Sequence, residues 1–114
     1  MAYNGLKIII GLGSGGQLLS ASADGHAGSS PKGENLACAA VTVLLRTAYE
    51  TVSAYPGVKI KGKATKAGSL DFKISAWPEE KSERLRAVAD FLVVGLSGIN
   101  REFPGLLELV IDQN

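Results

Sequence analysis

Short strand-like runs alternate with longer helical runs along this chain, and this order limits most strongly what it can fold into. Five short runs are β-branched or alternate apolar with polar side chains, which favours strands; they are residues 6–12, 19–24, 58–64, 70–77 and 106–112. Apolar residues at helical spacing fill two longer runs, 36–52 and 85–99. The sequence therefore predicts the order β-β-α-β-β-α-β.

This order predicts an α+β fold. The strands of each β-β pair are joined by short connections, so we expect a largely antiparallel five-stranded sheet, mixed where a helix crosses over. Both helices are expected on one face, which gives a two-layer sandwich. With 114 residues, 46% of them hydrophobic and 20% charged, the chain is predicted to form a single domain over residues 1–114.

A glycine cluster, GLGSGG, follows the first predicted strand with the spacing Gly11-x-Gly13-x-x-Gly16. This spacing also occurs in dinucleotide-binding folds, but there a helix opens at the third glycine and meets the pyrophosphate. The segment after Gly16, QLLSASADG, is too short and too alternating for such a helix. We interpret the cluster as a hairpin turn, and we expect no cofactor.

Charge and cysteine content limit the compartment and the partners. The net charge is +1, which favours neither direct DNA binding nor a membrane surface. Cys38 is the one cysteine, which excludes an internal disulfide and suits a reducing compartment. The apolar run after Lys7 is broken after Ile10, so it makes a poor signal peptide, and no run approaches the ~20 residues of a membrane span. A cytoplasmic protein is predicted.

The one histidine and the one cysteine flank the same loop, predicted over residues 24–34. Asn35 is a favoured N-cap residue, which places Cys38 at the third helical position, where backbone N–H groups lower the pKa of a thiol. A nearby His26 imidazolium lowers it further, and free amides there suit an oxyanion. The alternative is a core cysteine, because free cysteines are often buried and LACAAV is apolar. One His and one Cys are too few ligands for a metal site.

The segment DGHAGSSPKGENLACAAVTVLL resembles the signature of the ribosomal-processing cysteine protease (Prp) family. The similarity rests on Gly25-His26-Ala27, on Gly33 and on Cys38-Ala39 followed by Ala40 and Val41. The strand GSLDFKI and the tail REFPGLLELVI extend it over nearly the whole chain.

This resemblance implies a cytoplasmic, homodimeric endopeptidase without a cofactor. Its substrate would be the N-terminal extension of a large-subunit ribosomal protein (number twenty-seven), removed during ribosome maturation. Cys38 matches the nucleophile and His26 the general base. The loop expected to shape the substrate cleft contains Ala27, Gly28, Ser29, Ser30 and Gly33.

Two positions depart from the family pattern. Asn35 stands where members usually carry aspartate, and Thr42 stands where many carry serine. We interpret Asn35 as the helix cap; the other reading is that its amide orients the imidazole of His26. Asp24 lies two residues before His26 and shares its side if the strand continues that far.

A second hypothesis is a non-catalytic module that binds the ribosome or its RNA. It rests on the lysines of the strand predicted over residues 58–64, namely Lys59, Lys61 and Lys63, with Lys66 following. Lysine is a common phosphate ligand. Alternating lysines are also typical of a solvated strand face or of a protected sheet edge, which is the simpler explanation. In this hypothesis Cys38 is chemically inert.

Overall fold

The structure is a computed structural model that describes residues 6–24, 32–66 and 69–113. The elements follow the predicted order, which is thereby confirmed. They are β1 (Leu6–Leu12), β2 (Leu18–Asp24), α1 (Lys32–Ser53), β3 (Lys59–Lys66), β4 (Ser69–Ala76), a 3₁₀ turn (Glu79–Lys81), α2 (Ser82–Glu102) and β5 (Leu107–Gln113).

The five strands form one mixed sheet in the order β3-β4-β2-β1-β5. The β1–β2, β2–β4 and β3–β4 pairs are antiparallel, and β1–β5 is parallel because α2 carries the chain back across the sheet. The predicted α+β class and five-stranded sheet are confirmed. β3 and β5 are the edge strands, so the lysine-bearing strand lies at an edge.

The two helices cover one face of the sheet. α1 packs on β3 and β4, and α2 packs on β2 and β5. The largest fully buried side chains lie in this layer: Leu6, Ile8, Ile10, Leu18, Leu45, Leu85, Leu92 and Leu96, with Val41 and Val52. No helix within the described ranges is both long and apolar enough to cross a bilayer.

The opposite face of the sheet, here called the open face, is largely polar. Side chains alternate between the two faces of a strand, so the neighbours of buried residues point to this side. Charged and hydroxyl groups from all five strands meet there: Lys7, Ser20, Ser22, Asp24, Lys61, Lys63, Asp71, Lys73, Glu108 and Asp112.

The glycine cluster forms the hairpin turn between β1 and β2. The amide of Gly13 donates to the carbonyl of Gln17 at 2.9 Å, and the amide of Gly16 donates to the carbonyl of Gly13 at 2.9 Å. Gly16 has φ +83°, a conformation that L side chains rarely adopt. The prediction of a turn is confirmed.

Both helices begin differently from the prediction. α1 begins at Lys32, three residues before the predicted cap Asn35, because the polar residues ahead of the apolar pattern are also helical. The second helical run was predicted over residues 85–99, whereas α2 begins at Ser82, directly after the 3₁₀ turn. The Ser82 hydroxyl accepts a hydrogen bond from Trp77 Nε1 at 3.1 Å.

Candidate active site

Cys38 lies near the beginning of α1 and points into the layer between helix and sheet. It is a free cysteine whose side chain is 8% exposed. It belongs to the core cluster that also contains Ala23 and Leu70 of the sheet. The candidate nucleophile is therefore carried by a packed helix rather than by a loop.

The apolar spacing of α1 explains why the thiol faces inward. Residues three or four positions apart share one side of a helix. The buried residues of α1 that follow Cys38 at this spacing are Val41, Leu45, Ala48 and Val52. Leu36 and Val43, on the other side, are 61% and 64% exposed. Cys38 thus belongs to the buried stripe of α1.

The early start of α1 changes how strongly the N-terminus of the helix can stabilise a thiolate at Cys38. Cys38 was expected at the third helical position, but it is the seventh residue of a helix that begins at Lys32, so that prediction is wrong. The influence of a helix N-terminus falls off within its first turn. The helix end therefore favours a thiolate at Cys38 less than the sequence suggested.

Thr42 is tied to the backbone of the candidate nucleophile. Its hydroxyl Oγ1 donates a hydrogen bond of 2.8 Å to the carbonyl oxygen of Cys38, one helical turn earlier. Threonine and serine both make this bond inside helices. Thr42 stands where many family members carry serine, but the hydroxyl group that makes this bond is the same in both residues. The sequence singles out this position, but it does not reveal the contact.

Several predicted site residues fall on segments that are not described. His26, Ala27, Gly28, Ser29 and Ser30 lie outside the described residues. Their predicted roles as general base and substrate loop stay predictions.

Two further predicted positions lie within α1. Gly33 belongs to the first turn of the helix and not to the loop, so the loop ends earlier than predicted. Asn35 also lies inside this first turn, so the prediction that it is the N-cap is wrong. Its alternative role, orienting His26, stays untested.

Asp24 is the last residue of β2, where it pairs with Lys7 of β1. Its neighbour Ala23 is 7% exposed and lies in the core cluster with Cys38, so Asp24 points to the opposite side, the open face. Its carboxylate is therefore separated from Cys38 by the sheet.

Metal binding finds no support in the described ranges. No group of three or more His, Cys, Asp or Glu side chains in residues 6–24, 32–66 and 69–113 could hold a metal ion.

Comparison with known proteins identifies the family to which this chain belongs. The sequence model of the family "Cysteine protease Prp" matches residues 6–108, which include both the single histidine and Cys38. The chain belongs to the cysteine protease Prp family. The resemblance seen in the sequence is thus confirmed, and the family is one of hydrolases. No curated protein sequence matches significantly.

Solved structures of similar fold include Prp proteins. The crystal structure of SMU.848 from Streptococcus mutans has a TM-score of 0.76, 18% identity and 97% coverage of both chains. A second match is the "essential ribosomal processing protease Prp" from S. aureus with a substrate peptide, at TM-score 0.75 and 14% identity. The S. aureus protein with a covalently linked product peptide gives 0.73 and 15%. Both S. aureus matches cover 94% of this chain and 99% of the other. At these identities the likeness establishes the shared fold.

Proposed function

We propose that this protein is a cytoplasmic endopeptidase that removes the N-terminal extension of a large-subunit ribosomal protein (number twenty-seven). Cys38 is the nucleophile and His26 the general base. The observation that carries the proposal is the match of the cysteine protease Prp family across residues 6–108, which spans both residues. The S. aureus member of similar fold is named a ribosomal processing protease, which supports this choice of substrate.

The proposed reaction proceeds through an acyl-enzyme. His26 takes the proton of the Cys38 thiol, and the thiolate attacks the carbonyl carbon of the scissile peptide bond. The tetrahedral intermediate collapses, the C–N bond breaks, and the imidazolium gives its proton to the leaving amine. Water, deprotonated by His26, then attacks the thioester, and the carboxylic acid product leaves as the thiol re-forms.

The beginning of α1 supplies a site for the developing oxyanion. The first turn of a helix leaves backbone N–H groups without partners inside the helix, and such donors stabilise negative charge. This turn starts at Lys32, six residues before Cys38, so the substrate carbonyl is proposed to lie between the turn and the thiol. The residues Ala27–Gly33 and Asn35 are proposed to shape the substrate cleft and to orient the imidazole.

A homodimer of single-domain chains is the proposed assembly. Apolar side chains are exposed on the outer sides of the helices: Leu36, Val43, Phe91 and Val94 are 61–69% exposed. Phe91 borders a groove between the two helices, which Leu44 and Val88 also line. Exposed apolar patches of this kind are typical of association surfaces.

Cleavage of the purified precursor tests the proposed chemistry. Wild-type protein is expected to release the extension, while Cys38→Ser and His26→Ala are expected to lose cleavage to background. Ser53→Ala is the matched control, because Ser53 is exposed on the same helix. Mass spectrometry of the products identifies the scissile bond. Cleavage by Cys38→Ser at the wild-type rate contradicts the proposal.

The dimer is tested separately by sedimentation equilibrium. Phe91→Glu places a charge in the exposed apolar surface and is expected to give a monomer, whereas Asp90→Lys, its exposed neighbour, is expected to remain dimeric. A wild-type monomer at micromolar concentration contradicts the proposed assembly, and it leaves the chemistry of Cys38 to the cleavage assay.

A further inference from the structure

The two edge strands of the sheet differ in how well they are protected against pairing with another chain. Among the described strands, β3 and β5 each have a neighbour on one side only. β3 carries the exposed residues Lys59, Lys61 and Lys63, and two register irregularities interrupt its pairing with β4. Lysines and bulges are common means of blocking a sheet edge. The edge of β3 is therefore protected.

The free side of β5 has neither kind of protection. All seven residues of the strand, Leu107–Gln113, stay in register with β1 without a bulge. Its sequence, LELVIDQ, contains no lysine, arginine or proline. A regular strand with one free side can accept an extended peptide as a further strand of the sheet. We call this free side of β5 the β5 edge.

The backbone groups that point to the β5 edge follow from the pairing of β5 with β1. The amide of Leu6 donates to the carbonyl of Leu106 at 2.8 Å, and Leu6 is the strand partner of Leu107. Backbone groups of alternate residues in a strand point the same way, so those of residues 106, 108, 110 and 112 face β1. The N–H and C=O groups at the β5 edge therefore belong to Leu107, Leu109, Ile111 and Gln113.

An exposed apolar side chain lies beside these backbone groups. Ile111 is 41% exposed and points to the helix side of the sheet, like the buried Leu107. The other exposed large apolar residues in the described part of the chain lie on helices: Leu36, Val43, Phe91 and Val94. Directly opposite side chains of paired strands share a face and contact each other. An added strand with an apolar residue opposite Ile111 would bury it.

Acidic side chains of β5 lie on the open face along the same edge. Glu108 and Asp112 are both exposed. Lys7 of β1 is the strand partner of Glu108 and neutralises part of this charge, whereas Asp112 has Gly11, which carries no side chain, as its partner. The two acids outnumber the one lysine, so the open face keeps a net negative charge along β5.

These acids discriminate between the strands that could pair with the β5 edge. Antiparallel pairing with β5 of a second copy, centred on Val110, would place Glu108 of each copy opposite Asp112 of the other. Like charges directly opposite each other destabilise a strand pair, and opposite charges stabilise it. The β5 edge is therefore unsuited to self-pairing and suited to a strand with lysine or arginine at alternate positions.

We propose that the β5 edge docks an extended basic segment of the protein substrate, which joins the sheet as a sixth strand. The choice of this partner rests on the proposed function, because a ribosomal protein binds RNA and phosphate contacts are made largely by lysine and arginine. Basic residues of the segment face Glu108 and Asp112, and an apolar residue faces Ile111. Backbone hydrogen bonds supply the affinity, and the side chains supply the specificity.

Fluorescence anisotropy tests the docking on the full chain, with a labelled heptapeptide of alternating lysine and valine at low salt. Ile111→Pro removes a donor at the β5 edge but no hydrogen bond to β1, and is expected to weaken binding about two- to tenfold. Ile111→Val keeps the N–H group and an apolar side chain, and is expected to bind as wild type. Circular dichroism establishes that each variant is folded.

The contribution of charge is tested by neutralising both acids of β5. Glu108→Gln with Asp112→Asn is expected to weaken binding of this heptapeptide about two- to thirtyfold, because two opposite-charge pairs are lost. The matched control is Glu83→Gln with Asp90→Asn, two exposed acids of α2, which is expected to bind as wild type. A heptapeptide of alternating glutamate and valine is expected not to bind.

Cleavage kinetics with the full-length precursor test whether the docked segment belongs to the substrate. Ile111→Pro is expected to raise KM about two- to tenfold, and Ile111→Val is expected to keep the wild-type KM. Cys38→Ser is expected to bind the heptapeptide as wild type although it does not cleave. Docking is therefore measured even if the proposed protease chemistry fails.

Four results overturn the proposal. They are absence of heptapeptide binding at low salt, wild-type binding by Ile111→Pro, equal weakening in the α2 control, and an unchanged KM for the precursor in Ile111→Pro. The last result shows that the partner of the β5 edge is not the substrate.

Discussion

The two faces of the sheet are made by the same strands, yet they carry different kinds of chemistry. Under the helices, alternate side chains are buried and hold Cys38 at 8% exposure within an apolar layer. On the open face the intervening residues are mostly charged or hydroxyl-bearing, and Lys61 lies opposite Lys73. The covered face suits a reactive group held in a fixed position, and the open face suits contact with a charged partner.

The largest expected effect is the loss of peptide cleavage when Cys38, on the covered face, is replaced. Cys38→Ala is expected to reduce precursor-peptide cleavage by more than about 10³-fold, because the nucleophile is removed. Lys61→Gln, on the open face, is expected to leave the rate unchanged. The measurement is the initial rate of product release at fixed substrate. Comparable losses in both variants contradict the division between the faces.

Stability gives the second contrast. Leu45 is fully buried beneath α1, and Leu45→Ala is expected to lower the free energy of unfolding by about 2–5 kcal/mol through lost burial and the cavity left behind. Lys63→Ala, at an exposed position, is expected to change it by less than about 0.5 kcal/mol. Urea unfolding followed by circular dichroism measures both. A small effect at Leu45 indicates that the covered layer is loosely packed.

A smaller loss of stability is expected when the hydroxyl of Thr42, which is bonded to the Cys38 carbonyl, is removed. Thr42→Val keeps the shape of the side chain but removes the 2.8 Å bond to the Cys38 carbonyl, and is expected to cost about 0.5–1.5 kcal/mol. Thr42→Ser keeps the hydroxyl and is expected to retain most of the stability and the cleavage rate. Loss of cleavage in Thr42→Ser with cleavage retained in Thr42→Val shows that the methyl group, and not the hydrogen bond, matters here.

The smallest expected effect is a gain in stability on the open face. Lys61→Glu replaces a like-charge pair with an opposite-charge pair beside Lys73, and is expected to stabilise the protein by about 0.2–1 kcal/mol. High salt is expected to reduce the gain because both groups are exposed. Thermal unfolding at two salt concentrations measures it. A destabilised variant shows that the two side chains do not face each other in solution.

Local patterns in the sequence predicted the framework correctly. The glycine cluster marked the β1–β2 turn because its spacing was followed by a strand-like run and not by a helix. The spacing of apolar residues predicted both helices and the buried side of α2, but on α1 it placed Leu36 and Val43 on the apolar face, and both are exposed. The turn and the helices depend on residues that are neighbours along the chain, so a single sequence is enough to predict them.

Features that depend on distant contacts or on helix ends were harder to predict. The start of α1 was placed at Asn35, because Lys32, Gly33 and Glu34 carry no apolar spacing. The pairing of Lys61 with Lys73 follows from the register of β3 against β4, which alternation alone does not set. The family was identified by its motif and not by local patterns, because free cysteines such as Cys38 are ordinarily core residues.

The central claim is that Cys38, although almost buried, is a nucleophile activated by His26. Its most direct test is the rate of alkylation by iodoacetamide against pH, followed by intact mass, which is unambiguous because the chain has one cysteine. The proposal predicts reaction of the folded wild type well below the ordinary thiol pKa of about 8.5, and loss of this reactivity in His26→Ala. Alkylation only upon unfolding, or an identical profile without His26, contradicts it.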